Sequence, residues 1–245
     1  MIFMFWPDVI ALKEFYNSPL GRITGRNVSH AIKSFWAETT KDNNILGIGF
    51  TTPYLQPFLA KNPCVFACMP AMQGVIHWPP QAANLSLLSE ETELPFADNS
   101  IQRVLVVHAL ENSENARKMM AEIWRVLSPT GRLLVVVPNR RGIWARSPQS
   151  PFAHGQPFTY WQLRQLLAKH SLTSVGVSTA LFFPPSKRRF ILKASNFLER
   201  VGKNFFASFG GVIIIEAEKQ IYAPALQKVR SGFAKPAYMP AAQTI

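Results

Sequence analysis

With 245 residues and 48% hydrophobic content, the chain suits one globular domain with a substantial core and leaves little room for a second. Its formal net charge of +12 is lopsided: residues 1–122 hold 9 Lys and Arg against 11 Asp and Glu, a net of −2, while residues 123–245 hold 17 against 3, a net of +14. Such a bias points to an anionic partner, whether nucleic acid, acidic lipid headgroup or acidic protein surface.

The first apolar run, MIFMFW, is six residues long, has no basic residue before it and is followed by Pro7-Asp8. It is too short for a signal peptide or a membrane span, and no transmembrane segment is expected. The expected compartment is the cytoplasm, with peripheral attachment to a membrane left open. Helices are predicted over Asp8–Tyr16 and Asn27–Trp36. Beyond them, strand-length apolar runs at Ile45–Gly49, Val65–Met69, Val104–His108, Leu133–Pro138, Val175–Phe183 and Val212–Glu216 alternate with helical patterns, which argues for a doubly wound α/β sheet. The clearest helix carries Ala116, Met119, Met120, Ile123 and Leu127 on one face, with Ser113 placed to cap it and the turn Ser128-Pro129-Thr130-Gly131 to stop it. Cys64 and Cys68 fall on a buried strand and read as core thiols, and His30, His77, His154 and His170 show no metal spacing.

The stretch Leu94–Arg146, reading LPFADNS, VLVVHALE and EIWRVLSPTGRLLVVVPNRRGIWAR, resembles the second half of class I S-adenosylmethionine (SAM) dependent methyltransferases of the type 11 branch. FYNSPLGR near the start and EAEKQIYA near the end add a likeness to a group of methyltransferase-like bacterial proteins. The resemblance implies a Rossmann-like fold, with a mixed seven-stranded sheet, helices on both faces and the last strand antiparallel. It implies one domain over residues 1–223, with lid helices within 1–40, an amphipathic insert at 186–206, and a basic tail at 224–245.

It also implies a SAM site, and there the signature is degenerate. Where the family has an acidic residue and three glycines after the first strand, this chain has Gly47, Gly49, Thr51 and Pro53. A threonine at positive φ would be strained, and Pro57 would break the following helix or delay its start, so a rebuilt loop is expected. The family's ribose-binding carboxylate matches Met69, and no Asp or Glu occurs between Asn43 and Ser89. Glu90 or Glu91 sits near the family's adenine-binding Asp.

Two further segments are candidates for chemistry. After the fifth strand, Asn139, Arg140, Arg141, Trp144 and Arg146, followed by His154, leave the carboxyl edge of the sheet, where open α/β sheets place ligands. The arginines and the indole would grip an anion or stack on a ring, or else the aromatics pack and the arginines are simply solvated. Convergence of this loop with His108 on one pocket is expected if it is a site. His108 itself, after the fourth strand, is placed either to act as a base or to hold structure, and with Asn139 and Arg140 it completes the catalytic candidates. The insert carries Phe190, Ala194, Phe197, Leu198, Val201 and Phe205 at helical spacing among six basic residues, as a helix covering the sheet edge or lying on an anionic surface would. Two functions remain open: SAM-dependent methyl transfer to an unknown acceptor, or an inactive relative serving as a binding module. No metal is expected.

Overall fold

The computed structural model describes residues 6–37, 43–60 and 64–221. Seven strands form one sheet: β1 (Ile45–Gly49), β2 (Val65–Pro70), β3 (Ser86–Ser89), β4 (Ile101–Val107), β5 (Leu127–Pro138), β6 (Leu172–Ala180) and β7 (Val212–Lys219). Their order is β3-β2-β1-β4-β5-β7-β6. All neighbours are parallel except β7, which runs antiparallel to both β5 and β6. The helices are α1 (Val9–Asn17), α2 (Pro19–Phe35), α3 (Thr52–Leu59), α4 (Ala116–Val126), α5 (Tyr160–Lys169) and α6 (Arg189–Phe205).

Successive side chains on a strand point to opposite faces, so each central strand feeds two cores. Ile45, Val107, Leu134, Val136 and Ile214 pack with Leu12, Leu20, Val28 and Ile32 of α1 and α2 and with Leu55 and Phe58 of α3. Leu46, Ile48, Val104, Val106, Val135 and Ile215 pack with Met119, Met120, Ile123 and Val126 of α4 and with Leu163 and Leu167 of α5. Burial on both faces explains why these strands read as unbroken apolar runs.

Several boundaries differ from the sequence reading, each for a local reason. Helix α2 begins eight residues earlier than its apolar pattern suggests, because Ser18 accepts from Gly21 N and Pro19 suits the first turn. Helix α4 is capped by Asn115, whose side chain accepts from Lys118 N, while the Ser113 hydroxyl donates to Glu91. The Ser128–Gly131 turn lies within β5, as a bulge between the Ile101–Leu127 and Arg103–Arg132 pairings. Strand β6 ends at Ala180, three residues short of its apolar run. Strand β3, too short and half-exposed to stand out, was invisible to periodicity. The 224–245 tail lies outside the described residues.

Helix α6 is seated by its small residues. Ser195 and Gly202 are its buried positions, and a Cβ on Gly202 would lie 2.2 Å from Phe182 Cβ. The Glu199 carboxylate turns inward and accepts from Leu181 N and Phe182 N, both at 2.8 Å. Burial nevertheless raises the Glu199 carboxyl above its ordinary range, against the lowering effect of those two amides and of Lys203. A carboxyl with a raised folded pKa binds more protons folded than unfolded, so its contribution to stability declines as pH rises through that window. Glu199→Gln should therefore gain stability relative to the wild type as pH increases from about 4 towards neutrality, with the difference flat below the carboxyl range. Denaturant titrations across that range measure it, and a pH-independent difference would contradict it.

Candidate functional site

The strand order reverses between β1 and β4, and beyond their carboxyl ends is where an open α/β sheet holds a ligand. Gly49 closes β1 at φ +86°, so close to β4 that a Cβ would stand 2.2 Å from Val107 O. Here glycine is required by conformation and by space. On the other strand, His108 leaves β4 with φ +55°. These two turns aim Phe50 and His108 into the same space.

That space is filled. The Tyr16 hydroxyl, from α1, lies 2.7 Å from His108 Nε2 and 2.6 Å from the Tyr54 hydroxyl of α3. Phe50 stacks on Tyr16 at 5.5 Å between centroids, and Phe152 lies 4.5 Å from the His108 ring. All of these side chains are buried. Burial, then the neighbouring Tyr54 and Glu111, push the Tyr16 phenol well above its usual pKa, and burial raises Tyr54 too, so both remain protonated. Behind them the wholly buried Glu111 carboxylate lies 3.5 Å from His108 Nδ1, and neither of its oxygens has a hydrogen bond among the described residues. The N-terminal segment crosses this edge like a strap. Val9 N donates to Gln73 O, the Gln73 side chain donates to His108 O, and Trp6 is buried on the opposite core with Cys68, Leu94, Ala109 and Leu110.

The positions expected to hold SAM have other occupations. Thr51 has φ −101° and takes the N-cap position of α3 without backbone strain, so no glycine is needed there, although its side chain makes no capping hydrogen bond. A Cβ on Gly47 would lie 2.1 Å from Thr51 Oγ1, so Gly47 makes room for the threonine. Pro53 falls in the first turn of α3, and the helix runs on through Pro57 to Leu59 instead of breaking. Met69 is wholly buried in the core beside β3. Glu90 is exposed, and Glu91 is buried, bound to the Ser113 hydroxyl at 3.0 Å. Cys68 is a core thiol whose pKa burial pushes up to about 12. Among the described residues no group of His, Cys, Asp or Glu is arranged to hold a metal ion, and no helix is long and apolar enough to cross a membrane.

The loop after β5 reaches His108 through Phe152 alone of its aromatic residues, and its arginines do not converge there. Trp144 is wholly buried, its Nε1 donating to Phe183 O at 2.7 Å. The Asn139 amide clamps the loop to the approach to β7, donating to Ser208 O and Gly210 O and accepting from Arg141 N. Arg140 is exposed and donates to Pro157 O, while Arg146 and His154 are exposed. Arg141 and Asn139 line a separate cleft of about 480 Å³ with Thr159, Trp161, Thr179 and Lys203. Trp6, Tyr16, Phe50, Tyr54 and Glu111 escaped the sequence reading as site residues. The signals were slight: Tyr16 completes the Val9, Leu12, Tyr16 stripe of α1, and Glu111 follows His108 by one helical turn's spacing.

Sheet order, antiparallel β7 and helices on both faces make this the fold of a class I methyltransferase. Residues 46–135 match the methyltransferase domain family. The C-methyltransferase UbiE of ubiquinone and menaquinone biosynthesis from Desulfotalea psychrophila is 34% identical over 70 residues, 28% of either chain, so the match spans little more than a quarter of that relative. A SAM-dependent methyltransferase from Thermotoga maritima, described as a possible histamine N-methyltransferase, superposes with a TM-score of 0.62 at 17% identity over 86% of this chain and 96% of its own. One from Archaeoglobus fulgidus gives 0.57 at 13% identity over 86% and 98%. The fold and the matched segment thus agree: the chain has the class I SAM-dependent methyltransferase fold, and residues 46–135 of it are similar to the methyltransferase domain family.

SAM nevertheless does not fit the described residues as they stand. Tyr16, Phe50 and Trp6 are buried at the edge, Met69 carries no carboxylate, and the cleft of about 610 Å³ left beside them, lined by Tyr16, Phe50, Thr52, Pro53, His77 and Trp78, holds no Asp or Glu for the ribose hydroxyls. Tyr16→Phe should cost roughly 1–3 kcal/mol, because it strands His108 Nε2 and the Tyr54 hydroxyl in the core. Trp144→Ala should cost about 3–5 kcal/mol, and Arg146→Ala within about 0.5 kcal/mol of nothing. Chemical denaturation of the three variants checks both statements.

Proposed function

We propose that this methyltransferase-like protein acts as a binding module for an anionic partner, its cofactor edge given over to its own N-terminal segment. The observation that carries the reading is the buried Tyr54–Tyr16–His108 network, with Phe50 stacked on it and Trp6 beyond, at the sheet edge where a SAM-dependent relative would keep its cofactor. The net charge of +14 on residues 123–245 supports the nature of the partner.

A second reading, SAM-dependent methyl transfer to an unidentified acceptor, is favoured by the methyltransferase domain match over residues 46–135 and by one feature of the site. The left-handed turn at Gly49 is retained, and beside it Glu111 and Gln73 Oε1 are buried without hydrogen bonds among the described residues. On this reading the strap carrying Trp6 and Tyr16 withdraws to admit the cofactor.

Calorimetric titration with SAM and S-adenosylhomocysteine separates the two. Loss of a charged acceptor for the ribose hydroxyls removes about 1.5–3 kcal/mol, a weakening of roughly tenfold to over a hundredfold before the filled edge is counted. The wild type should show no saturable binding in the micromolar range. A low-micromolar dissociation constant, or SAM copurifying with the protein, would overturn the binding-module reading. Trp6→Ala combined with Tyr16→Ala should gain SAM binding only if the second reading holds.

A further inference from the structure

Helix α6 and the turn after it expose five phenylalanines: Phe190 (65%), Phe197 (67%), Phe205 (76%), Phe206 (57%) and Phe209 (58%). Single exposed apolar residues are ordinary, but five within residues 190–209 are not. At 100° per residue, Phe190, Phe197 and Phe205 fall in a sector of roughly 80°, which also holds Ala194 and Val201. The stripe cannot simply roll inward. Gly202 is pressed against Phe182, and Glu199 is bound to the Leu181 and Phe182 amides on the opposite side of the helix.

The charges around the stripe are of one sign. Lys187, Arg188, Arg189, Lys193, Arg200 and Lys203 are exposed, and among the described residues none lies within ion-pair distance of a carboxylate, Lys203 acting on Glu199 only from farther off. Glu199 is the single acid between residues 186 and 206, and it faces the protein. Between α2 and α6 a groove of about 670 Å³ is lined by Arg22, Arg26, Arg189 and Lys193 together with Pro19, Ile23 and Leu192, with no carboxylate on its walls. Four cations around one groove repel one another unless an anion sits among them.

We propose that α6 lies flat on an anionic bilayer, its phenylalanines at the boundary of headgroups and acyl chains and its basic flank and the Arg22–Arg189 groove on headgroup phosphates. Both halves of the surface select this occupant. A polyanion such as nucleic acid would satisfy the cations and leave the Phe stripe in water. A second copy would cover the stripe while bringing two chains of net charge +12 together. A helix of phenylalanines edged by Lys and Arg suits the bilayer interface. This inference does not depend on what occupies the β1–β4 edge.

The test is flotation of the full-length protein with vesicles of mixed phosphatidylglycerol and phosphatidylcholine, against vesicles of phosphatidylcholine alone. Binding should require the anionic lipid and fall as salt is raised, since salt screens exposed charges. Phe197→Ser with Phe205→Ser should lower the partition coefficient on the order of tenfold or more, with an unchanged melting temperature because both side chains are already exposed. Arg189→Gln with Lys193→Gln should weaken binding and flatten its salt dependence. Absence of binding to anionic vesicles, or equal and salt-insensitive binding to neutral ones, would overturn the proposal. So would dimerisation without lipid that the Phe variants abolish, or RNA binding that competes with vesicles and ignores the Phe variants.

Discussion

The close approach of β1 to β4 at Gly49 governs the functional end of this molecule. With a Cβ there only 2.2 Å from Val107 O, the two strands end almost in contact and both chains must turn away with positive φ, Gly49 at +86° and His108 at +55°. In the superfamily such a turn lets a ligand approach the backbone. Here it delivers Phe50 and His108 to Tyr16, and the first helix completes what the strands begin. One backbone constraint therefore serves either a pocket or a plug, and the side chains after it decide which.

The balance at this edge is between packing and polarity. Tyr16, Phe50, Tyr54 and Phe152 stabilise it by burying large aromatic surfaces, and the Tyr54–Tyr16–His108 chain satisfies three polar atoms that would otherwise be stranded. Glu111 pulls the other way, since a buried carboxylate is costly without hydrogen bonds and it has none among the described residues. Its nearest support is His108, at 3.5 Å. An edge that combines close aromatic packing with an under-supported carboxylate is well filled and incompletely satisfied at once, and this is why two functional readings compete there.

The sheet was legible because strands buried on both faces are long apolar runs, and because VLVVHALE and the GRLLVVVPN run carry the superfamily's pattern. Thr51 misled on conformation. A residue aligned with a glycine invites the assumption of positive φ, yet its backbone is ordinary and the strain lies elsewhere, at Gly49. The arginines of the β5 loop also misled, because nothing in PNRRGIWAR says that Trp144 turns inward to Phe183 O and that Asn139 spends its amide on Ser208 and Gly210. The site was hidden for a different reason. Tyr16, Tyr54 and His108 meet across separations of 38 and 92 residues, and no local spacing encodes that.

Strand β7 sits between β5 and β6 although it follows both in the chain. Among the described residues β6 has no hydrogen-bonded strand neighbour apart from β7, and Lys219 at the far end of β7 ties back to Leu127 O and Asn99. During synthesis the ribosome delivers β6 and α6 before the strand that attaches β6 to the sheet. Until residues 212–219 emerge, β6 and β5 face each other with unpaired edges, and β6 and α6 are held by their packing on α2. Entry of β7 is thus an insertion between two strands already made, and it joins the edge strand on which α6 packs to the rest of the sheet.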